Sequence, residues 1–407
     1  EESGINTIAT EVEENADGTI ASLTLNQTAP AEHPVLRPHR LAVGFYDEDP
    51  ATGKIVRTDR FELDVDGEST VVAAAAGKKR PAFILVNDDD LTYTKLRFDA
   101  DSLSFALANL QRFDDALARA VVWLSLWDMT RDGDLAAEKF IDTTLALLAT
   151  ETESTTFRYA LSCMSTTAWH YTAPDRRADV VKHVAKELWK LVIAAPGGSD
   201  QQFQLVTAYL GYGEEGDAEF AEHAQGLFDG SLIVAGLEID NNFTWTIINA
   251  LSSVKLIDQA GIDAQLAKRD TTENREFALG AHAVRGDAAA KEWAWNEALN
   301  NADLTNMQLE AVARGFGATP RPDLAEPYAA KYYDVVDWVW KNKSFHMAEA
   351  LLEGLYPYYA DPATLVELGH RWLADHEDAD NALKRIVRGN VESSQRTLKV
   401  RDFNAAL

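Results

Sequence analysis

The hydrophobic pattern of this chain changes period once, near residue 98. Before that point apolar side chains recur at every second position. Leu23 and Leu25 alternate with polar neighbours, as do Leu41, Val43 and Phe45, and then Phe61, Leu63 and Val65. Ala82–Val86 is a short apolar run, and the stretch from Leu91 to Lys95 alternates again. Turn-forming pieces separate these runs: residues 15–18, 49–53, 66–67 and 87–90, rich in Asn, Asp and Gly. Short alternating segments with such punctuation predict a small β-sandwich over residues 10–98, preceded by a linker over 1–9.

From residue 99 to 407 the period is that of a helix. Leu103, Leu107, Leu110, Leu117, Val121 and Leu124 fall on one face, with Asp101 placed to cap it. Asp134 precedes Ile141, Leu145 and Leu148; Asp175 precedes Val180, Val184, Leu188 and Leu191. Asp217, Asp287, Asp303 and Asp361 stand at similar starts, where a carboxylate accepts an orphan N–H and suits the positive helix end. Helices joined by short turns pack antiparallel, and a stack of such pairs forms a superhelical, α-solenoid-like domain. The expected class is therefore α+β and multidomain: a small N-terminal β-sandwich, then a large all-α unit. No repeat of fixed period is visible.

Charge narrows the partners. The net charge of −27 repels phosphate backbones and anionic lipid, which excludes nucleic acid and membrane surfaces as general partners. No run of about 18 apolar residues is present to span a bilayer, and no basic and apolar leader opens the chain, which begins with Glu1 rather than Met as a fragment or processed chain would. The single cysteine, Cys163, reads as a buried structural thiol and fits a cytoplasmic setting.

Catalytic motifs are not found. The nine histidines include no pair at i and i+4, so there is no H-E-x-x-H; phosphate loops and the G-x-S-x-G elbow are missing too. Residues 128–139 approach a calcium loop, but the twelfth position is Lys139 where a bidentate Glu is needed. Neither catalytic nor metal-binding residues are assigned. The C-terminal segment differs from the rest: between Asp380 and Asp402 the bases Lys384, Arg385, Arg388, Arg396, Lys399 and Arg401 face three acids. Arg385, Arg388, Arg396 and Lys399 share one helical face, and Leu383, Val387 and Leu398 another. Such a stripe is either a solvated face or a surface that meets an anion.

Several blocks carry a family resemblance. The segment Glu2–Ile8 resembles the exit from the catalytic domain of actinobacterial aminopeptidase N enzymes. Pro30–Asp47 and Leu85–Arg97 resemble their β-sandwich domain. Leu117–Ala120 and Leu126–Gly133 resemble the start of their C-terminal helical domain. The resemblance implies the non-catalytic C-terminal half of a zinc peptidase that removes N-terminal residues from peptides. It implies that residues 1–9 lead from a missing catalytic domain on the same polypeptide, which would hold the zinc. It implies that this half shapes and closes a peptide chamber and is inactive alone. In that setting Arg385, Arg388, Arg396 and Lys399 are expected to meet a peptide carboxylate or the catalytic domain. The alternative is a free-standing helical scaffold for a peptide or protein partner.

Overall fold

The structure, a computed structural model, describes residues 4–407; the first three residues of the expected linker lie outside the described residues. By internal contacts the chain forms two compact units. One runs to Ala168 and takes back Phe403–Leu407; the other is Trp169–Asp402.

The first unit opens with seven strands: β1 (Thr7–Glu14), β2 (Ile20–Thr28), β3 (His39–Glu48), β4 (Ile55–Val65), β5 (Ser69–Val71), β6 (Phe83–Asp88) and β7 (Lys95–Arg97). They make two sheets, ordered β5-β2-β1-β7 and β4-β3-β6. All neighbours are antiparallel except β1 and β7. Alternation did its work here: Leu23, Leu25, Leu41 and Val43 are fully buried. β1 begins within the segment expected as linker. The stretch from Leu91 to Lys95 is not a strand up to Thr94, and Leu91 and Tyr93 are exposed, Tyr93 at 81%. The reason lies in the preceding turn. Asn87, Asp89 and Asp90 all adopt positive φ, and Asn87 holds Thr92 through both its amide and its carbonyl.

Four helices complete this unit: α1 (Ala100–Asn109), α2 (Ala116–Asp132), α3 (Ala137–Leu148) and α4 (Ser154–Thr166). α1 and α2 pack on β6, so every residue of that strand is buried and its sequence is continuously apolar at the start. The expected single face from Leu103 to Leu124 is broken by a 3-10 turn at Leu110–Arg112, and Leu117 and Leu124 are exposed.

The second unit is helical throughout: α5 (Arg177–Ala194), α6 (Asp200–Leu210), α7 (Ala218–Asp229), α8 (Asn241–Ser253), α9 (Gln259–Lys268), α10 (Thr272–Ala283), α11 (Ala288–Asn300), α12 (Asn306–Gly317), α13 (Pro322–Ala325), α14 (Ala329–Asn342), α15 (Phe345–Gly354), α16 (Pro362–Asp375) and α17 (Asn381–Ala405), whose last residues belong to the first unit. Sequence neighbours pair as hairpins: α5 with α6, α7 with α8, α9 with α10, α11 with α12 and α14 with α15. The second members then pack on one another in order, α6 on α8, α8 on α10, α10 on α12 and α12 on α15. This ladder of hairpins is the stacking of an α-solenoid. The core of its later half gathers Trp295, Phe316, Tyr332, Tyr356, Leu351 and Val387.

Candidate functional site

The four basic residues singled out in the sequence all lie on α17. Arg385, Arg388 and Lys399 are exposed and Arg396 is partly so. Arg385 reaches Glu349 of α15 at 3.7 Å, a loose pair with 71% of the Arg side chain in solvent. The structure thus places the stripe on the outer face of the helix and brings one acid near it.

The inner face of α17 is less conventional. Leu383, Ile386, Val387 and Val391 are buried, but from Asn390 onward the buried positions turn polar: Asn390, Ser394, Thr397 and Arg401. Tyrosines explain the first part. Asn390 donates to Tyr332 Oη at 3.0 Å and accepts from Tyr358 Oη at 3.0 Å, while Ser394 shares a 2.8 Å hydrogen bond with Tyr356 Oη. Tyr332 in turn donates to the Leu352 carbonyl at 2.8 Å. A connected network of this kind is stable only if its members are satisfied.

Arg401 continues the buried polar positions of the inner face. It is 8% exposed, and its Nε donates to the His170 carbonyl at 2.7 Å. The His170 ring stacks on Tyr359, centroids 4.7 Å apart. Arg177, half-buried at the start of α5, is also in electrostatic range. Burial, then Arg177, lowers the Arg401 pKa to about 10. Burial, then Arg401 and Arg177, pushes the His170 ring down to about 3, so it is neutral at ordinary pH. The Arg177 pKa is also lowered by burial.

Two clefts open in the same unit. One, of about 310 Å³, crosses α8, α10 and α12 and is lined by Asn249, Phe277, Gly280, Met307, Ala311 and Arg314 among others. The other, of about 620 Å³, lies beside the C-terminal ends of α6, α8 and α12. Trp169, Ala178, Glu214, Glu215, Ser253 and Arg321 are among its lining residues. Trp169 is held by a parallel stack on Tyr212, with centroids at 6.2 Å. Glu215 bridges Lys255 at 3.0 Å and Arg321 at 2.8 Å. Glu214 is half-buried, and burial raises its pKa.

Against known families, the chain matches the model for the ERAP1-like C-terminal domain over residues 83–396, from β6 into α17. The chain belongs to that family. It is also 34% identical over 412 residues to a protein named aminopeptidase N from Streptomyces lividans, which covers all of this chain and 48% of the relative. The chain therefore spans about half the length of that relative and corresponds to its C-terminal part.

A zinc site needs three or more converging donors. Among the described residues of this ERAP1-like domain, no three His, Cys, Asp or Glu side chains are grouped to hold a metal. Three of its histidines stack on tryptophans. His223 stacks on Trp189 at 4.0 Å, His282 on Trp293 at 3.8 Å, and His376 on Trp372 at 4.4 Å with its Nε2 2.9 Å from Asp337. The residues present do not fit zinc. Cys163 is buried, and burial pushes its thiol up to about 12, far from a reactive thiolate.

The residues that sequence reasoning missed are Arg177, Glu214 and the inward role of Arg401. For Arg401 a signal was present. Positions 390, 394, 397, 401 and 404 follow one helical face, but a polar face is ordinarily read as the wet one. Arg177 and Glu214 carry no such pattern, since their burial depends on how α5 and the turn after α6 pack.

Proposed function

We propose that this chain is the non-catalytic C-terminal half of a zinc-dependent aminopeptidase, and that it shapes and closes the chamber in which N-terminal residues are removed from peptides. The observation that carries this reading is the end-to-end match to the C-terminal part of an aminopeptidase N. The stacked helical hairpins support it, since a solenoid offers a long inner surface to a peptide. In this reading the zinc and its ligands sit in the other half of the same polypeptide, in the cytoplasm. Arg385, Arg388, Arg396 and Lys399 would face that half or the peptide carboxylate, where an Arg fork gives bidentate geometry.

The test compares this chain alone with the same chain joined to a zinc-binding half of an aminopeptidase N. Activity on an aminoacyl-amide should need the joined protein. Stoichiometric zinc with chelator-sensitive turnover in this chain alone would sink the reading. Reversing charge at Arg388 and Arg396 in the joined protein assigns the stripe. A rise in peptide KM with unchanged aminoacyl-amide turnover marks a peptide contact. Loss on both substrates marks an interface between halves. No change on either removes the stripe from the function.

A further inference from the structure

Two apolar side chains stand in solvent beside the segment Gly4–Asn6, where the chain enters the first unit. They are Leu91, 46% exposed, and Tyr93, 81% exposed. The stretch that carries them is tied down on several sides. Asn87 is buried and holds Thr92 through both ends of its amide, and Thr92 Oγ1 lies 2.7 Å from His39 Nδ1. Arg57 and Arg60 of β4 hold Asp89 at 2.8 Å and 2.7 Å. Among the described residues four other than glycine take positive φ, and three of them, Asn87, Asp89 and Asp90, make this turn. Such backbone costs free energy and persists where its neighbours enforce it, often where function uses it. The far end of the stretch is bonded to the entering chain. The Asn6 carbonyl accepts from the Lys95 N–H at 2.9 Å and from Thr94 Oγ1 at 2.8 Å. Asn6 is itself buried and donates to the Val35 carbonyl at 2.8 Å, while Arg37 donates to the Gly4 carbonyl at 2.7 Å. Tyr93 therefore adjoins Thr94, a residue fixed to the point of entry.

We propose that Leu91 and Tyr93 form the seat on which the preceding half of the same polypeptide docks. The proposal rests on the proposed function, under which that half joins at Glu1. This chain covers 48% of its relative and corresponds to the C-terminal part, so the remainder of such a protein arrives from this side. A body tethered at the entry meets the surface around it at high effective concentration, and a small apolar seat then suffices to hold it. Side chains on backbone that is already fixed lose less freedom on docking. A tyrosine buries its ring while its hydroxyl keeps a polar contact, which suits an interface. A second copy of this chain is a poorer occupant, because it too carries a charge of −27 and would be repelled. Single exposed apolar residues are ordinary, and Val71, 61% exposed, is one. It lies on β5, at the opposite edge of the sheet from β7, and so away from the entry. Leu91 and Tyr93 differ from it in their place and in the strained turn that presents them.

The experiment exposes two proteins to hydroxyl radicals, this chain alone and the polypeptide with the preceding half joined at Glu1. Oxidation is read residue by residue by mass spectrometry. Tyr93 and Leu91 should react readily in the chain alone and lose most of that reactivity in the joined protein, while Val71 reacts alike in both. Cutting the joined protein at the junction then gives the affinity between the halves. Tyr93→Ser should weaken it at least about tenfold, and Val71→Ser should leave it unchanged. Tyr93→Ser should also leave the melting temperature of this chain alone where it was, since the ring is largely in solvent. Equal reactivity of Tyr93 in the two proteins would overturn the proposal. Protection of Val71 as strong as that of Tyr93, or equal effects of the two substitutions, would overturn it as well. Neither readout needs turnover. An active joined protein with Tyr93 unprotected would sink the docking seat alone. A protected Tyr93 in a joined protein without zinc or activity would sink the peptidase reading alone.

Discussion

Lys291 is a lysine where a lysine is rarely found, 2% exposed in the core of the helical unit. Its Nζ donates to the carbonyls of Ala283 at 2.7 Å, Phe316 at 3.1 Å and Gly315 at 3.2 Å, and to the Thr319 hydroxyl. That amino group therefore closes the C-terminal ends of α10 and α12 together, although burial lowers its pKa to about 7. Lys291→Met keeps the stem but leaves those oxygens buried and unmet. It should cost about 2–4 kcal/mol in denaturant unfolding, and a loss under half a kcal/mol would show the contacts to be idle. His170 gives a pH signature. Its folded pKa of about 3 lies below the unfolded value of about 6.5, so the unfolded chain takes up a proton that the folded chain refuses. Stability contributed by the neutral ring is complete above about pH 6.5 and falls as pH drops toward 3. Between pH 7 and 5 the loss should be about 1–2 kcal/mol, and His170→Phe should remove it while keeping the stack on Tyr359. Equal pH slopes for the two proteins would contradict this. At this scale the sequence was least legible. Lys291 sits in an Ala-rich helix that reads as surface, and only the packing of two helix ends turns it inward.

Helices were legible as elements, but their beginnings were less so. Asp217, Asp287 and Asp361 cap α7, α11 and α16 as read from the sequence. Elsewhere the cap moved. Asp99 rather than Asp101 caps α1, and Thr305 rather than Asp303 caps α12, with Gln308 closing a capping box. Asp175 caps nothing, because α5 starts from Arg176 without a side-chain cap. Asp134 caps nothing either. It pairs with Arg97 at 2.7 Å, and the first N–H of α3 instead meets Asn404 Oδ1 at 2.8 Å. That partner lies far along the chain, and no local rule finds it. Asn404→Ala should therefore destabilise the first unit by about 1 kcal/mol, a cap's worth, in spite of its position three residues from the end. Helix spacing offers a sharper test. A Cβ at Gly369 of α16 would lie 2.2 Å from Val391 Cγ2 and 2.7 Å from Tyr333 Oη. Gly369→Ala should cost about 1–3 kcal/mol, and adding Val391→Ala should return part of it. Simple additivity of the two losses would show that the close approach of α16 and α17 is not the cause.

The whole molecule carries a net charge of −27, and like charges on one folded chain repel. Its melting temperature should rise on going from low salt to about 0.15 M, where the Debye length is near 8 Å. A flat or falling curve would mean that its many ion pairs outweigh the repulsion. The order of architectures was readable at this scale because it rests on period alone, two and then 3.6. The ladder of hairpins was foreseen in kind, but which helix meets which was hidden, since no fixed repeat marks the rungs. That ladder has an evolutionary consequence. α8 touches the stack through α6 and α10, and α10 through α8 and α12, so each rung packs chiefly on its neighbours. A lineage that gains or loses one hairpin at a turn has two surfaces to reconcile and a whole core to leave alone. Relatives of this domain can then differ in reach by whole rungs while keeping every remaining rung as it is here.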